Sequence, residues 1–181
     1  QDPDVIAVGE IRDGETAQIA MRAAITGHIV LSTVHTNDAL GTIERLLDIG
    51  VEPYLISSAL KGVVSQRLVR RICPTCRTAF EPTAEDLANL GLPAGPKRMF
   101  YKGTGCPDCF GTGYKGRIAV FEILTMGKEL RHLVSKGADR SEMEKVLEKE
   151  GLVTLYSNAL RLVEEGITTG EEVLRIANAD E

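Results

Sequence analysis

Two equally spaced cysteine pairs, Cys73-Pro74-Thr75-Cys76 and Cys106-Pro107-Asp108-Cys109, constrain this chain more than any other feature. Each Cys-x-x-Cys is a tight turn that aims two thiolates at one point. Two such turns supply the four tetrahedral sulfurs that Zn²⁺ favours. The 29 residues between the pairs must then leave one spot and return to it, as an insertion does. Four protein ligands leave no open position on the ion, so the expected role is structural. The competing reading is two disulfides or free thiols. The start, Gln1-Asp2-Pro3-Asp4, carries no basic-then-apolar secretory pattern, and that favours zinc.

Around this knot the chain has the bulk of an ordinary domain with a small appendage: 181 residues, 43% hydrophobic. Aromatics are 4% and Trp is absent, so the core must be aliphatic. Apolar runs reach about six residues, far short of the ~20 needed to span a bilayer. The first residues lack Met and lie directly before a strand-like run, which reads as a cut through a longer protein. Charge is uneven. Residues 1–60 hold 3 basic and 9 acidic side chains, residues 61–117 hold 10 and 4, and residues 118–181 hold 8 and 13. A middle of +6 between acidic flanks suits an acidic partner, anionic lipid or nucleic acid. Charge balance within a larger assembly is the simpler reading, and the flanks oppose nucleic acid.

Val5-Ile6-Ala7-Val8 is a continuous apolar run ending at Gly9, the pattern of a buried parallel strand. Asp13 can cap a helix with Ala17, Ala20, Met21 and Ala24 on one stripe, closed by Gly27. Ile29–Val34 reads as the next strand. Asp38 can cap a helix through Ile43, Leu46 and Leu47 that Gly50 closes. Pro53 can open a further helix running to about Arg71 through Leu55, Ala59 and Val63. The first 70 residues therefore read as an α/β sheet fragment with both faces covered. Residues 72–117 are loop-rich and hold all four cysteines, with a helix start at Thr83. A strand follows at Arg117–Leu124, and the remainder is helical.

Chemistry concentrates at the ends of the two strands. An apolar strand ending in Gly9-Glu10-Ile11-Arg12 is a Walker B pattern, with a carboxylate at the C-terminal edge of a parallel sheet, where such sheets bind ligands. There it can polarise an attacking water or hold Mg²⁺ through water. On its own the pattern is weak, since many strands end in Glu. The neighbouring strand adds Thr33, His35, Thr36 and Asn37 at the same edge, and a histidine there can report on a γ-phosphate by hydrogen bonding. His28, beside Gly27, reads as a helix-end residue, and His132 as a surface residue.

Taken in order, these segments resemble the type II secretion and type IV pilus-assembly ATPases, GspE and PilB. The likeness runs from Gln1–Asp13 through Thr26-Gly27-His28, Ser32–Asn37, Ala39-Leu40-Gly41 and Gln66–Arg70. It continues through the cysteine pairs, Gly111–Arg117 and Thr168-Thr169-x-Glu171-Glu172-Val173. The resemblance implies a partial RecA-like (P-loop NTPase) sheet with a tetracysteine zinc-binding insertion and a helical C-terminal subdomain. The expected boundaries are 1–71, 72–117 and 118–181. It implies that Glu10 is the catalytic Walker B glutamate and that Gly9 stands at the usual Walker Asp position. His35 would belong to a His box on the γ-phosphate side. Gly9, Arg12, Thr33, Thr36 and Asn37 would be nucleotide-binding, and Gln66-Arg67-Leu68 would lie on a helix near the core. It further implies Mg²⁺ with ATP, a homo-hexamer, a polytopic inner-membrane platform protein as partner, and a place on the cytoplasmic face of that membrane.

The departures count as well. The 181 residues contain no Gly-x-x-x-x-Gly-Lys-Ser/Thr, the loop whose N–H groups and lysine hold phosphates. This chain alone is therefore expected to bind ATP weakly and to be inactive. The rival reading is a non-catalytic zinc-binding interaction module in which residues 72–117 do the work.

Overall fold

The computed structural model describes residues 3–93 and 98–177. Their elements are β1 (Val5–Val8), α1 (Gly14–Ile25), β2 (Ile29–Ser32), α2 (Ala39–Asp48), α3 (Pro53–Ala59), β3 (Gly62–Ile72) and β4 (Arg77–Phe80). Then come α4 (Ala84–Asn89), β5 (Phe100–Gly103), β6 (Tyr114–Thr125), α5 (Lys128–Lys136), α6 (Arg140–Lys149), α7 (Leu155–Glu164) and α8 (Gly170–Ala177). Two compact units result. One comprises residues up to 65 with 123–152, the other 66–122 with residues from 153. The cysteine-bearing stretch lies wholly in the second unit, and the C-terminal helices are divided between the two.

In the first unit β1 and β2 pair in parallel, Val5 opposite Ile29 and Val8 opposite Ser32. Asp13 caps α1 through Thr16 N–H at 2.8 Å, and Asp38 caps α2 through Gly41 N–H at 2.6 Å. Short polar side chains with extended backbone at these positions satisfy amides that the first turn leaves open. The helices bury an aliphatic core of Ala17, Ile43, Leu46, Ile56, Leu130 and Met143, with Val8 and Val30 of the strands packed on it. This covers one sheet face. Val5 is 51% exposed, Ile29 and Leu31 59% each, so the expectation of strands covered on both faces is not met among the described residues. Alternation is the reason: Ile6, Val8 and Val30 turn toward the helices, while Val5, Ala7, Ile29 and Leu31 turn away.

The expected helix from Pro53 to Arg71 stops at Ala59. Leu60 is already extended, and β3 begins at Gly62. Val63 extended the helical stripe only by coincidence of spacing. In the strand Val63, Ser65, Arg67 and Val69 alternate inward, and Gln66 and Leu68 face out. Gln66-Arg67-Leu68 thus sits on a strand, which pairs with β6.

The second unit packs Val69, Phe100, Val120, Leu162, Val163 and Val173 into its own core. β4 and β5 form an antiparallel stem, Arg77 opposite Gly103 and Phe80 opposite Phe100, with the two rings edge to face at 6.3 Å. Thr83 and Asp86 cap α4 reciprocally, as the helix start at Thr83 anticipated.

Candidate functional site

The loops that leave β1 and β2 are stapled to each other beyond the strand ladder. Ile11 N–H donates to Thr33 O at 2.9 Å, and Thr33 Oγ1 donates to Gly9 O at 2.8 Å. This brings Glu10 and His35 together, with Glu10 Oε1 3.1 Å from His35 Nε2. The other carboxylate oxygen accepts from Arg12 Nε at 2.6 Å. Glu10 is mostly covered, its side chain 21% exposed, whereas His35 is 88% exposed. The hydrogen bond from the Arg12 guanidinium holds the Glu10 carboxyl below the usual carboxylate range; burial opposes it, and the charges of Arg12 and His35 add to the lowering. The result is an ionised carboxylate at the C-terminal rim of a parallel pair, clasped between a guanidinium and an imidazole.

Other residues singled out from the sequence are placed differently. A side chain at Gly9 would meet nothing within 4 Å, so the ground beside Glu10 is open. Thr33 closes the staple. Thr36 points its hydroxyl at Thr42 Oγ1, 2.8 Å away, and donates to Asp38 O, so it shapes the entry to α2. Asn37 is exposed at that turn. His28 Nδ1 lies 3.1 Å from Ala23 O and 3.2 Å from Thr26 Oγ1, the helix-end position read for it.

In the second unit the four cysteines converge. Tetrahedral thiolates bonded at about 2.3 Å to zinc stand about 3.8 Å apart. Cys73 and Cys106 Sγ are 3.8 Å apart, Cys76 and Cys109 3.8 Å, Cys106 and Cys109 3.7 Å. A disulfide needs about 2.05 Å, so all four are thiols spaced for one ion. Cys109 Sγ accepts from the N–H groups of Cys106 at 3.2 Å and Gly113 at 3.3 Å. Burial pushes the Cys106 thiol up to about 12. At Cys109 burial acts the same way, but those N–H groups outweigh it and bring the thiol down to about 6. Glycine is required here by contact: a Cβ at Gly103 would lie 2.0 Å from Gly113 O.

Two constellations escaped the sequence reading. Glu172, 1% exposed, accepts from Arg70 N at 2.7 Å and Arg70 Nε at 2.9 Å, while Thr168 Oγ1 donates to Arg70 O at 2.7 Å. The Thr168–Val173 motif is thereby a clamp between α8 and β3. Arg140, at the start of α6, pairs with Asp38, with Glu44 at 2.6 Å and with Glu144 at 2.7 Å, which fastens α6 to the cap of α2 directly after the His35 loop. Only the Glu144 pair, at i and i+4, was visible in sequence spacing.

Comparison with known proteins agrees with this arrangement. A family model described as Type II/IV secretion system protein matches residues 1–175. The type IV pilus assembly ATPase PilB of Thermus thermophilus is 51% identical over 176 residues, covering 96% of this chain and 20% of that protein. Type II secretion system protein E of Pseudomonas aeruginosa is 44% identical over 181 residues, 99% of this chain and 36% of its own length. The chain thus spans between a fifth and about a third of these relatives. Among solved structures, the pilus retraction motor PilT with bound ADP matches with a TM-score of 0.65 at 27% identity, covering 97% of this chain and 40% of that one. The ATPase DotB of Legionella pneumophila matches with the same TM-score at 22% identity, a likeness of fold. Fold, motif order and relatives agree, and the chain belongs to the Type II/IV secretion system protein family.

Proposed function

We propose that this chain is the C-terminal part of the ATPase domain of a hexameric motor that couples ATP hydrolysis to assembly of a type IV pilus or a type II secretion pseudopilus. The observation that carries the reading is the 3.1 Å contact of Glu10 with His35 at the rim of β1 and β2. The uncovered apolar row of Val5, Ile29 and Leu31 supports it, because strands of a doubly covered sheet expose such a row when shown without their neighbours. In this reading residues 1–71 belong to the RecA-like core, 72–117 to the tetracysteine insertion and 118–181 to a helical subdomain. A cytoplasmic, membrane-peripheral place and an inner-membrane platform partner belong to the same proposal. No helix among the described residues is long and apolar enough to cross a membrane.

Chemically, Glu10 is held ionised by Arg12 and orients or deprotonates the attacking water, while His35 links phosphate occupancy to the β2–α2 loop. Glu10 is the carboxylate that would hold, through water, a Mg²⁺ arriving with the nucleotide, and the ion would balance phosphate charge. Thr33 keeps the two loops together. Arg12 and Asn37 would meet the nucleotide, with Gly9 leaving it room, and Thr36 sets the loop that carries His35. The four sulfurs fit one structural zinc. Without a Gly-x-x-x-x-Gly-Lys-Ser/Thr loop, the 181 residues alone do not turn over ATP. The test is Glu10→Gln in the full-length protein. Hydrolysis should fall at least about 100-fold with folding and nucleotide binding retained. Unchanged hydrolysis would remove Glu10 from the reaction.

The rival reading is a zinc-dependent interaction module, for which the four sulfurs supply the ion site. Cys73→Ser should lose zinc and partner assembly first while some hydrolysis persists.

A further inference from the structure

The motor reading leaves the basic middle of the chain without a task. In the second unit a cavity of about 320 Å³ is lined by Arg71, Ile72, Pro74, Arg77, Lys115, Gly166 and Ile167. Three cations from the end of β3, the start of β4 and the start of β6 border it, and no carboxylate does. Other arginines of this unit have acidic partners, Arg70 with Glu172 and Arg98 with Glu164. No described acidic side chain pairs with Arg71, Arg77 or Lys115.

Arg77 is fixed in place. Its guanidinium lies over the Tyr101 ring at 3.9 Å and donates through Nη2 to Glu165 O at 3.3 Å. Gly166 permits this, since a Cβ there would sit 2.2 Å from Arg77 Nη2 and 2.4 Å from Tyr101 Cδ2. An arginine held flat on an aromatic ring keeps its other donors aimed outward and loses little freedom when it binds. Ile72 and Ile167 give the cavity an apolar floor, and the Ile72 N–H bond to Ile167 O at 2.9 Å fixes that floor.

We propose that this cavity binds a phosphate group carried on a small organic body. Three cations exceed what one carboxylate balances, whereas a phosphate monoester carries about −1.5 to −2 and three acceptor oxygens that suit arginine. The volume lies at the lower end of small-ligand pockets, about 300–1,000 Å³. The apolar floor receives the ester's carbon end. The phosphate comes either from a soluble ester or from a lipid headgroup, and both sources present the same chemistry. The proposal does not depend on the Glu10 site, and neither reading fails with the other.

The experiment titrates the 181-residue chain with glycerol 3-phosphate by calorimetry. In parallel it is sedimented with phosphatidylcholine vesicles with and without 30% phosphatidylglycerol or phosphatidic acid. Saturable one-to-one binding of either probe is expected, reduced at least tenfold in Arg71→Gln/Lys115→Gln. It should be unchanged in Lys136→Gln, an exposed cation of the other unit. Binding of the ester alone assigns a soluble source, and binding confined to the anionic vesicles assigns a headgroup. Should the double variant fail to fold, Lys115→Gln alone, at an exposed position, is expected to weaken binding at least threefold. The proposal is overturned if neither probe binds, if Lys136→Gln weakens binding as much as the double variant, or if only an acidic peptide such as oligoglutamate is retained.

Discussion

Replacing Glu172 with alanine should loosen α8 from β3 by an amount that follows from its contacts. The carboxylate is 1% exposed and is held by the Arg70 amide at 2.7 Å and by Arg70 Nε and Nη2 at 2.9 Å each. Breaking a buried ion pair from one side costs about 3–5 kcal/mol when the orphaned charge remains buried. Arg70 is 42% exposed and can turn to water, so much of the Coulombic part is recovered. The Arg70 amide has no such escape, and a dry unpaired N–H costs about 1–3 kcal/mol. The expected loss is about 2–3 kcal/mol, and about half that for Glu172→Gln, which keeps a neutral acceptor. Amide hydrogen exchange reads it directly, since Arg70 N–H is the bonded group: protection there should fall about 30- to 150-fold. Amides of α2 should be unaffected. The pH dependence has a definite sign. Burial favours the neutral acid, but the Arg70 amide and side chain overcome it and hold the folded-state pKa of Glu172 below its unfolded value. The contribution is therefore complete above the unfolded value, about 4.3, and is lost as pH falls through the folded one. The wild-type advantage over Glu172→Gln should narrow in that acidic window. Arg70 protection within threefold of wild type in Glu172→Ala would refute the clamp.

Other expectations concern the cysteine cluster and the α2 cap. The chain as purified should carry one zinc per molecule by metal analysis; Cys73→Ser should abolish it, and a chelator should unfold residues 72–117 before the first unit melts. Gly103→Ala drives a methyl to within 2.0 Å of Gly113 O, so it should cost at least about 2 kcal/mol and lower zinc affinity, seen by competition with a chromophoric chelator. Asp38→Ala removes both the α2 cap and a partner of Arg140, and denaturant titration should show a loss of about 1–2 kcal/mol.

Much of this could be read before any coordinates, and the places where reading failed have physical causes. Helix starts at Asp13, Asp38 and Thr83 were legible because a cap is a local bargain between one side chain and one amide. Parallel pairing of the two apolar runs and the meeting of the cysteine pairs were legible because chemistry demands them. The adjacency of Glu10 and His35 followed from strand order and the polar residues at each strand end. The strand at Gly62–Ile72 was missed because Leu55, Ala59 and Val63 keep helical spacing across a break that only Leu60's extended backbone reveals. The Arg140–Asp38 and Arg70–Glu172 contacts join residues about a hundred positions apart, and no local pattern encodes them. The Arg77 shelf depends on a bare Gly166 far along the chain, so the sequence showed the charge but not its convergence.

The β4–β5 stem begins at Arg77 and Gly103, directly beside Cys76 and just short of Cys106, and continues to Phe80 and Phe100. The segment beyond those two rings is anchored by other means: Leu90 is 3% exposed in the core that holds Val163 and Val173, and Arg98 pairs with Glu164. Any change in its length must therefore keep Leu90 seated, while the hairpin beneath the sulfur knot holds its own register.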